Sequence, residues 1–98
     1  MLVNVLIKDR TGLLKPNDKE RLVDEARKVL RRVKSHSEDS SELIINIKGS
    51  SEESDKKLLI VKTHFSTSRG DLYSEAEGYD LTTTVVDAVE GIEKQLRE

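Results

Sequence analysis

The chain has no cysteine and no tryptophan, one proline, one phenylalanine and two tyrosines among its 98 residues. Without cysteine it cannot build a disulfide framework, a thiol nucleophile or a cysteine-ligated zinc site. His36 and His64 are its only histidines, too few for a histidine-rich metal centre. Aromatic residues make up 3% of the chain, so a sheet platform that stacks several RNA bases has nothing to stack them on. The longest apolar run is four residues, 58–61, far short of a membrane-spanning helix. The N-terminus lacks the design of a signal peptide. A cytoplasmic protein with no membrane contact is expected.

Recognisable catalytic chemistry is missing too. The five glycines are scattered, so there is no glycine-rich phosphate loop. No serine, histidine and acid fall at nucleophile-motif spacing. Glu75 and Glu77 share a strand face, but without the surrounding cleft chemistry of an acid–base pair they read as solvent-facing residues. Glu52, Glu53 and Asp55 lack calcium-loop spacing. The expectation is a non-enzyme with no cofactor and no metal.

What is present fits a single domain over residues 1–98. Hydrophobic residues are 35% of the chain and charged residues 37%, so the few apolar side chains must line one core. Residues 1–7 alternate as a strand, with Val3, Val5 and Ile7 on one face. Gly12 and Pro16 break the connector that follows. Residues 17–34 read as a helix with Asn17 as N-cap and Glu20 completing a capping box. Leu22, Ala26, Val29 and Val33 form its apolar stripe. Residues 35–41 are a serine-rich loop, 42–48 a strand, and 49–55 a hairpin loop with no apolar residue. Residues 56–67 are a strand with Leu59, Val61, Thr63 and Phe65 on one face, and 68–71 are a second turn. Residues 72–78 are the last strand, with Leu72, Ser74 and Ala76 inward and Tyr73, Glu75 and Glu77 outward. Asp80 caps a helix over 80–97. Leu81, Val85, Ala88, Val89, Ile92 and Leu96 are its apolar stripe, and Thr83, Thr84, Asp87, Glu90, Gly91, Lys94 and Arg97 its outer face.

The expected class is therefore α+β, in the order βαβββα. A four-stranded mixed sheet carries both helices on one face. The last three strands form an antiparallel meander, and the first joins parallel through its helix. The second face of the sheet has no cover in the sequence. It is solvated or meets a partner, and a homodimer through that open face or a sheet edge is one such partner class.

Charge is distributed unevenly. Residues 1–34 hold ten Lys/Arg against five Asp/Glu, and residues 35–98 hold seven against fourteen, within an overall net charge of −2. The basic excess centres on the first helix. At about 100° per residue, Arg21, Lys28 and Arg32 align in one row and Arg27, Arg31 and Lys34 in the next. Such rows suit phosphate contacts, which fix position without reading bases.

The C-terminal third carries a resemblance. The stretch Leu72-Tyr73-Ser74-Glu75-Ala76-Glu77-Gly78-Tyr79-Asp80-Leu81, with Asp87 and then Ile92-Glu93-Lys94-Gln95-Leu96-Arg97, resembles the ribosome hibernation factor family. These proteins are also called ribosome-associated inhibitors or sigma-54 modulation proteins. Lys57-Leu58-Leu59-Ile60-Val61 and Gly70 match that family's third strand and turn. The resemblance extends over about residues 56–97 and is topological over 1–55. It implies a short-type member that binds the small ribosomal subunit through rRNA phosphates, inhibits translation and stores ribosomes under stress. On this chain the RNA-binding surface would comprise Arg21, Arg27, Lys28, Arg31, Arg32 and Lys34, extended by Lys62, Arg69, Lys94 and Arg97. The alternative is a divergent member that acts as a protein-interaction or dimerisation module without ribosome binding. The acidic residues Asp87 and Glu90 on the second helix motivate it. A double-stranded RNA binder ranks third, because the second helix opens on Asp80-Leu81-Thr82-Thr83-Thr84 with no basic residue for phosphates.

Overall fold

A computed structural model describes residues 2–12, 14–31, 40–49, 58–67 and 70–97. Its elements are β1 (Leu2–Asp9), α1 (Pro16–Leu30), β2 (Ser40–Gly49), β3 (Leu59–Thr67), β4 (Gly70–Gly78) and α2 (Leu81–Arg97). The strands lie in one sheet in the order β1-β2-β3-β4. β1 runs parallel to β2, and β2, β3 and β4 are antiparallel in turn. The expected βαβββα order and mixed sheet are thus present.

Alternation along the strands sets the two layers. Leu43, Ile45 and Ile47 of β2 and Leu59, Val61, Thr63 and Phe65 of β3 are all buried. They meet Leu22, Ala26, Val29 and Leu30 of α1 and Val85, Ala88, Val89 and Ile92 of α2 in one core. Each fully buried Leu, Ile, Val or Phe contributes about 1.5–3 kcal/mol relative to exposure. α2 rests on β3 and β4, and α1 rests on β1 and against α2. The outer strands β1 and β4 offer the core half-buried residues, among them Val5, Ile7, Leu72 and Ala76.

Several boundaries differ from the sequence reading, each for a local reason. α1 starts at Pro16, with Lys15 as the capping residue and Asp18 accepting the Lys15 N–H at 3.4 Å. Proline suits this first position because it has no N–H to leave unpaired and its φ is already helical. Asn17 therefore lies inside the helix, and Asp18 takes the part expected of Glu20. β2 begins at Ser40 because Ser40 and Ser41 pair with Leu2 and Val3, and it runs on to Gly49. β4 begins at Gly70 rather than Leu72. Thr67 pairs with Gly70 and Ser66 with Asp71, and Gly70 holds a φ of +130° that a side chain would oppose. β3 begins at Leu59; residues 56 and 57 lie outside the described set, as do 32–34 of the expected first helix.

The outer face of α2 needs the largest correction. Thr84 is buried, and its hydroxyl donates to the Asp80 carbonyl at 2.6 Å. Gly91 faces β4, where a Cβ would stand 2.1 Å from Ser74 Oγ. The glycine lets helix and strand approach, so its position is one of contact rather than exposure. Glu93 is buried as well and takes an ion pair from Arg97 at 2.9 Å.

Candidate nucleic-acid interface

α1 projects Arg21, Arg27, Lys28 and Arg31 from the side opposite its buried stripe, and all four are exposed. The helix pattern explains the segregation. Leu22, Ala26, Val29 and Leu30 occupy the core-facing arc, which leaves the basic residues the arc turned to water. Arg27 and Lys28 lie in the last turn of the helix and Arg31 is its C-cap, where cations also oppose the negative end of the dipole.

The heads differ in how far they are committed. Arg21 approaches Asp18 at 3.7 Å and donates to Thr82 Oγ1 of α2 at 3.4 Å. Lys28 reaches Glu25 at 3.4 Å. Both pairs are exposed and contribute little to stability, so both are easily traded for another anion. Among the described residues Arg27 and Arg31 have no acidic partner. Glu20 and Asp24 share the exposed arc and moderate its potential. The arrangement can clamp phosphates by charge and by guanidinium geometry.

At the other end of the set, α2 exposes Lys94 and Arg97. Arg97 is held by Glu93, and Asp87 is exposed on the same side, so this face is balanced rather than basic. Lys62 is exposed on β3, on the sheet face away from the helices, in register with Asn46 and Glu75. The structure therefore separates it from the α1 cluster by the thickness of the sheet. Arg32, Lys34 and Arg69 lie outside the described residues.

Two carboxylates organise the connections around this layer. Asp80 accepts the Thr83 N–H at 2.9 Å. The Thr83 hydroxyl and, after it, that N–H bond, with a smaller contribution from Arg21, hold its carboxyl below the usual range. This is the N-cap expected from the sequence. Asp9 ties down the turn after β1, accepting from the Thr11 N–H at 2.8 Å and the Leu14 N–H at 3.0 Å. Partial burial pushes its carboxyl up, but the bonds from Thr11 and Leu14 and the charge of Lys19 outweigh it and leave a lowered value.

The sequence reading missed two features. One is Thr82 as the partner of Arg21 across the helix pair. The other lies on the open sheet face, where the His64 and Tyr73 rings stack 4.6 Å apart and 8° from parallel. Among the described residues no group of three or more acidic or histidine side chains is placed to hold a metal, and no helix is long and apolar enough to cross a membrane.

The fold is shared with solved structures. It matches the N-terminal domain of Protein Y from Thermus thermophilus with a TM-score of 0.73 and 15% identity, over 99% of this chain and 97% of that one. It matches a ribosomal subunit interface protein from Coxiella burnetii with a TM-score of 0.64 and 20% identity, over 96% and 93% of the two chains. No protein-family model matches the chain, and no curated protein does. At these identities the likeness is one of fold.

Proposed function

We propose that this domain binds the small ribosomal subunit through rRNA phosphates and, by occupying that site, inhibits translation and stores ribosomes under stress. The observation that carries the reading is the exposed α1 face, with Arg21, Arg27, Lys28 and Arg31, on a fold shared over nearly its whole length with a ribosomal subunit interface protein. The domain acts by occupancy and not by catalysis. Its helix cations touch backbone phosphate, so recognition follows the shape of the rRNA and not its base sequence. Arg27 and Arg31 offer the uncommitted forks, while Arg21 and Lys28 exchange weak intramolecular partners for phosphate.

A second reading, a dimerisation or protein-interaction module without ribosome binding, draws on α2. Its outward side sets Asp87 against Lys94, with Arg97 engaged by Glu93, so α2 adds little positive field.

The test is co-sedimentation of the Arg27→Glu, Lys28→Glu, Arg31→Glu triple variant with purified small subunits, beside the wild type. All three positions are exposed, so the variant keeps its fold, which a thermal melt verifies. The expected result is loss of binding together with loss of translation inhibition. Unchanged binding by the folded variant would remove α1 from the interface.

A further inference from the structure

The sheet face away from the helices is organised in transverse rows by the strand register. Leu6 lies beside Ile44, Ile44 beside His64, and His64 beside Tyr73. These four form one apolar and aromatic band across all four strands. Leu6 is 46% exposed and Tyr73 64% exposed. Among the described residues no element packs on this band. Among the described residues His64 Nε2 is covered yet has no hydrogen-bond partner, with Asp71 standing 3.5 Å away.

The rows on either side of the band differ in sign. One contains Asn4, Glu42, Ser66 and Asp71, and the other Lys8, Asn46, Lys62 and Glu75. With Lys48 and Glu77 of the next row included, the face carries three lysines against four carboxylates. That balance disfavours a polyanion as occupant.

We infer that the open sheet face is a self-complementary surface that docks a second copy of this chain. A two-fold axis along the band lays Leu6, Ile44, His64 and Tyr73 of one copy over the same residues of the other. It brings the acidic row of each copy over the basic row of its partner. Lys62 then faces Ser66 of the partner subunit, between Glu42 of the partner subunit and Asp71 of the partner subunit. The perpendicular in-plane axis would lay each row on itself, with Glu42 beside Glu42 of the partner subunit and Lys62 beside Lys62 of the partner subunit, while Lys8 would meet Glu75 of the partner subunit. Charge therefore selects one isologous arrangement. Glu75 then stands over Asp71 of the partner subunit, a like-charge pair at the β4 rim, where solvent screens it. Four strands about 4.8 Å apart and about 28 Å long give each copy roughly 500 Å² of face, so two copies bury about the minimum for a specific interface. The dimer is accordingly weak and concentration-dependent. It does not rest on the ribosome reading, because α1 lies on the opposite side of the sheet and stays free.

The experiment is sedimentation equilibrium from low micromolar to millimolar protein. Wild type is expected to pass from monomer to dimer within that range. Leu6→Asp with Tyr73→Asp should weaken association by at least about tenfold, as loss of central anchors does. Lys62→Glu alone should weaken it, and Lys62→Glu with Asp71→Lys should restore it, whereas the triple α1 variant should dimerise like wild type. A wild type that stays monomeric throughout, or a dimer unmoved by charging the band, would overturn the inference. So would a monomer whose His64 and Tyr73 ring NMR signals shift on addition of poly(U), because that outcome gives the face to single-stranded nucleic acid.

Discussion

Replacing Gly91 with alanine is expected to destabilise the domain, although the same change at an exposed helix position would stabilise it by about 1 kcal/mol. The sign is set by β4. A methyl at residue 91 would meet Ser74 Oγ at 2.1 Å and Ser74 Cβ at 3.1 Å. Rotating the serine relieves the first contact but not the second, so α2 and β4 must separate by a few tenths of an ångström. Overpacking of this kind costs about 1–3 kcal/mol. Set against the helix-propensity gain, the net loss centres on about 1 kcal/mol, a fall in Tm of roughly 4–8 °C for a domain of this size. Gly91→Val should lose more, because its branched side chain cannot turn away from the strand. Ser74→Ala removes the nearer atom but keeps the Cβ at 3.1 Å, so Gly91→Ala in that background should recover only part of the loss. Thermal and urea unfolding of the four proteins in the double-mutant cycle measure the coupling. A single Gly91→Ala variant that melts several degrees above wild type, with no coupling to Ser74, would refute the close approach of α2 to β4.

Other expectations follow from the same structure. Phe65 is fully buried at the centre of the core, so Phe65→Ala should lose about 3–5 kcal/mol in urea unfolding, and a loss below 1 kcal/mol would contradict its placement. Asp80 has a lowered carboxyl pKa, so its cap is fully formed above the ordinary carboxylate range and is lost as pH falls through the lower folded-state value. Wild type and Asp80→Ala should therefore differ in Tm at neutral pH and converge in strong acid, and a gap that persists at the acid end would show that the carboxylate is not the cap. Asp9, lowered in the same direction, should make Asp9→Asn less stable than wild type at pH 7, with the difference shrinking below the ordinary carboxylate range; equal melting at both pH values would remove its charge from the account.

Most of the fold was legible because burial in this chain follows simple periods. Leu43, Ile45 and Ile47 alternate, as do Leu59, Val61, Thr63 and Phe65, and the helix stripes recur at 3.6 residues. What escaped was whatever depends on register or on contact between elements. Beginning β4 at Leu72 would place Thr67 opposite it and His64 opposite Glu75. Only two residues separate Thr67 from Gly70, and this brings Tyr73 beside His64 instead, which produces the aromatic end of the open band. Thr84 and Gly91 look like outer-face residues on a helical wheel. They turn inward because the buried arc of α2 is widened where it meets β4. The exposed cations of α1 were legible for the converse reason, since a wheel with four buried apolar positions leaves Arg21, Arg27, Lys28 and Arg31 only the water side. Lys62 was grouped with them by charge alone, and the sheet separates it from α1.

The central claim is that α1 docks on rRNA phosphate, and salt tests it most directly. Binding of the wild type to small ribosomal subunits should fall linearly in log K against log salt, with a slope of roughly 0.7–0.9 per phosphate neutralised. Reversal of Arg27, Lys28 and Arg31 should flatten that slope by about three such increments while the melt stays unchanged. Wild-type binding that is insensitive to salt, or absent at low salt from folded protein, would contradict the claim.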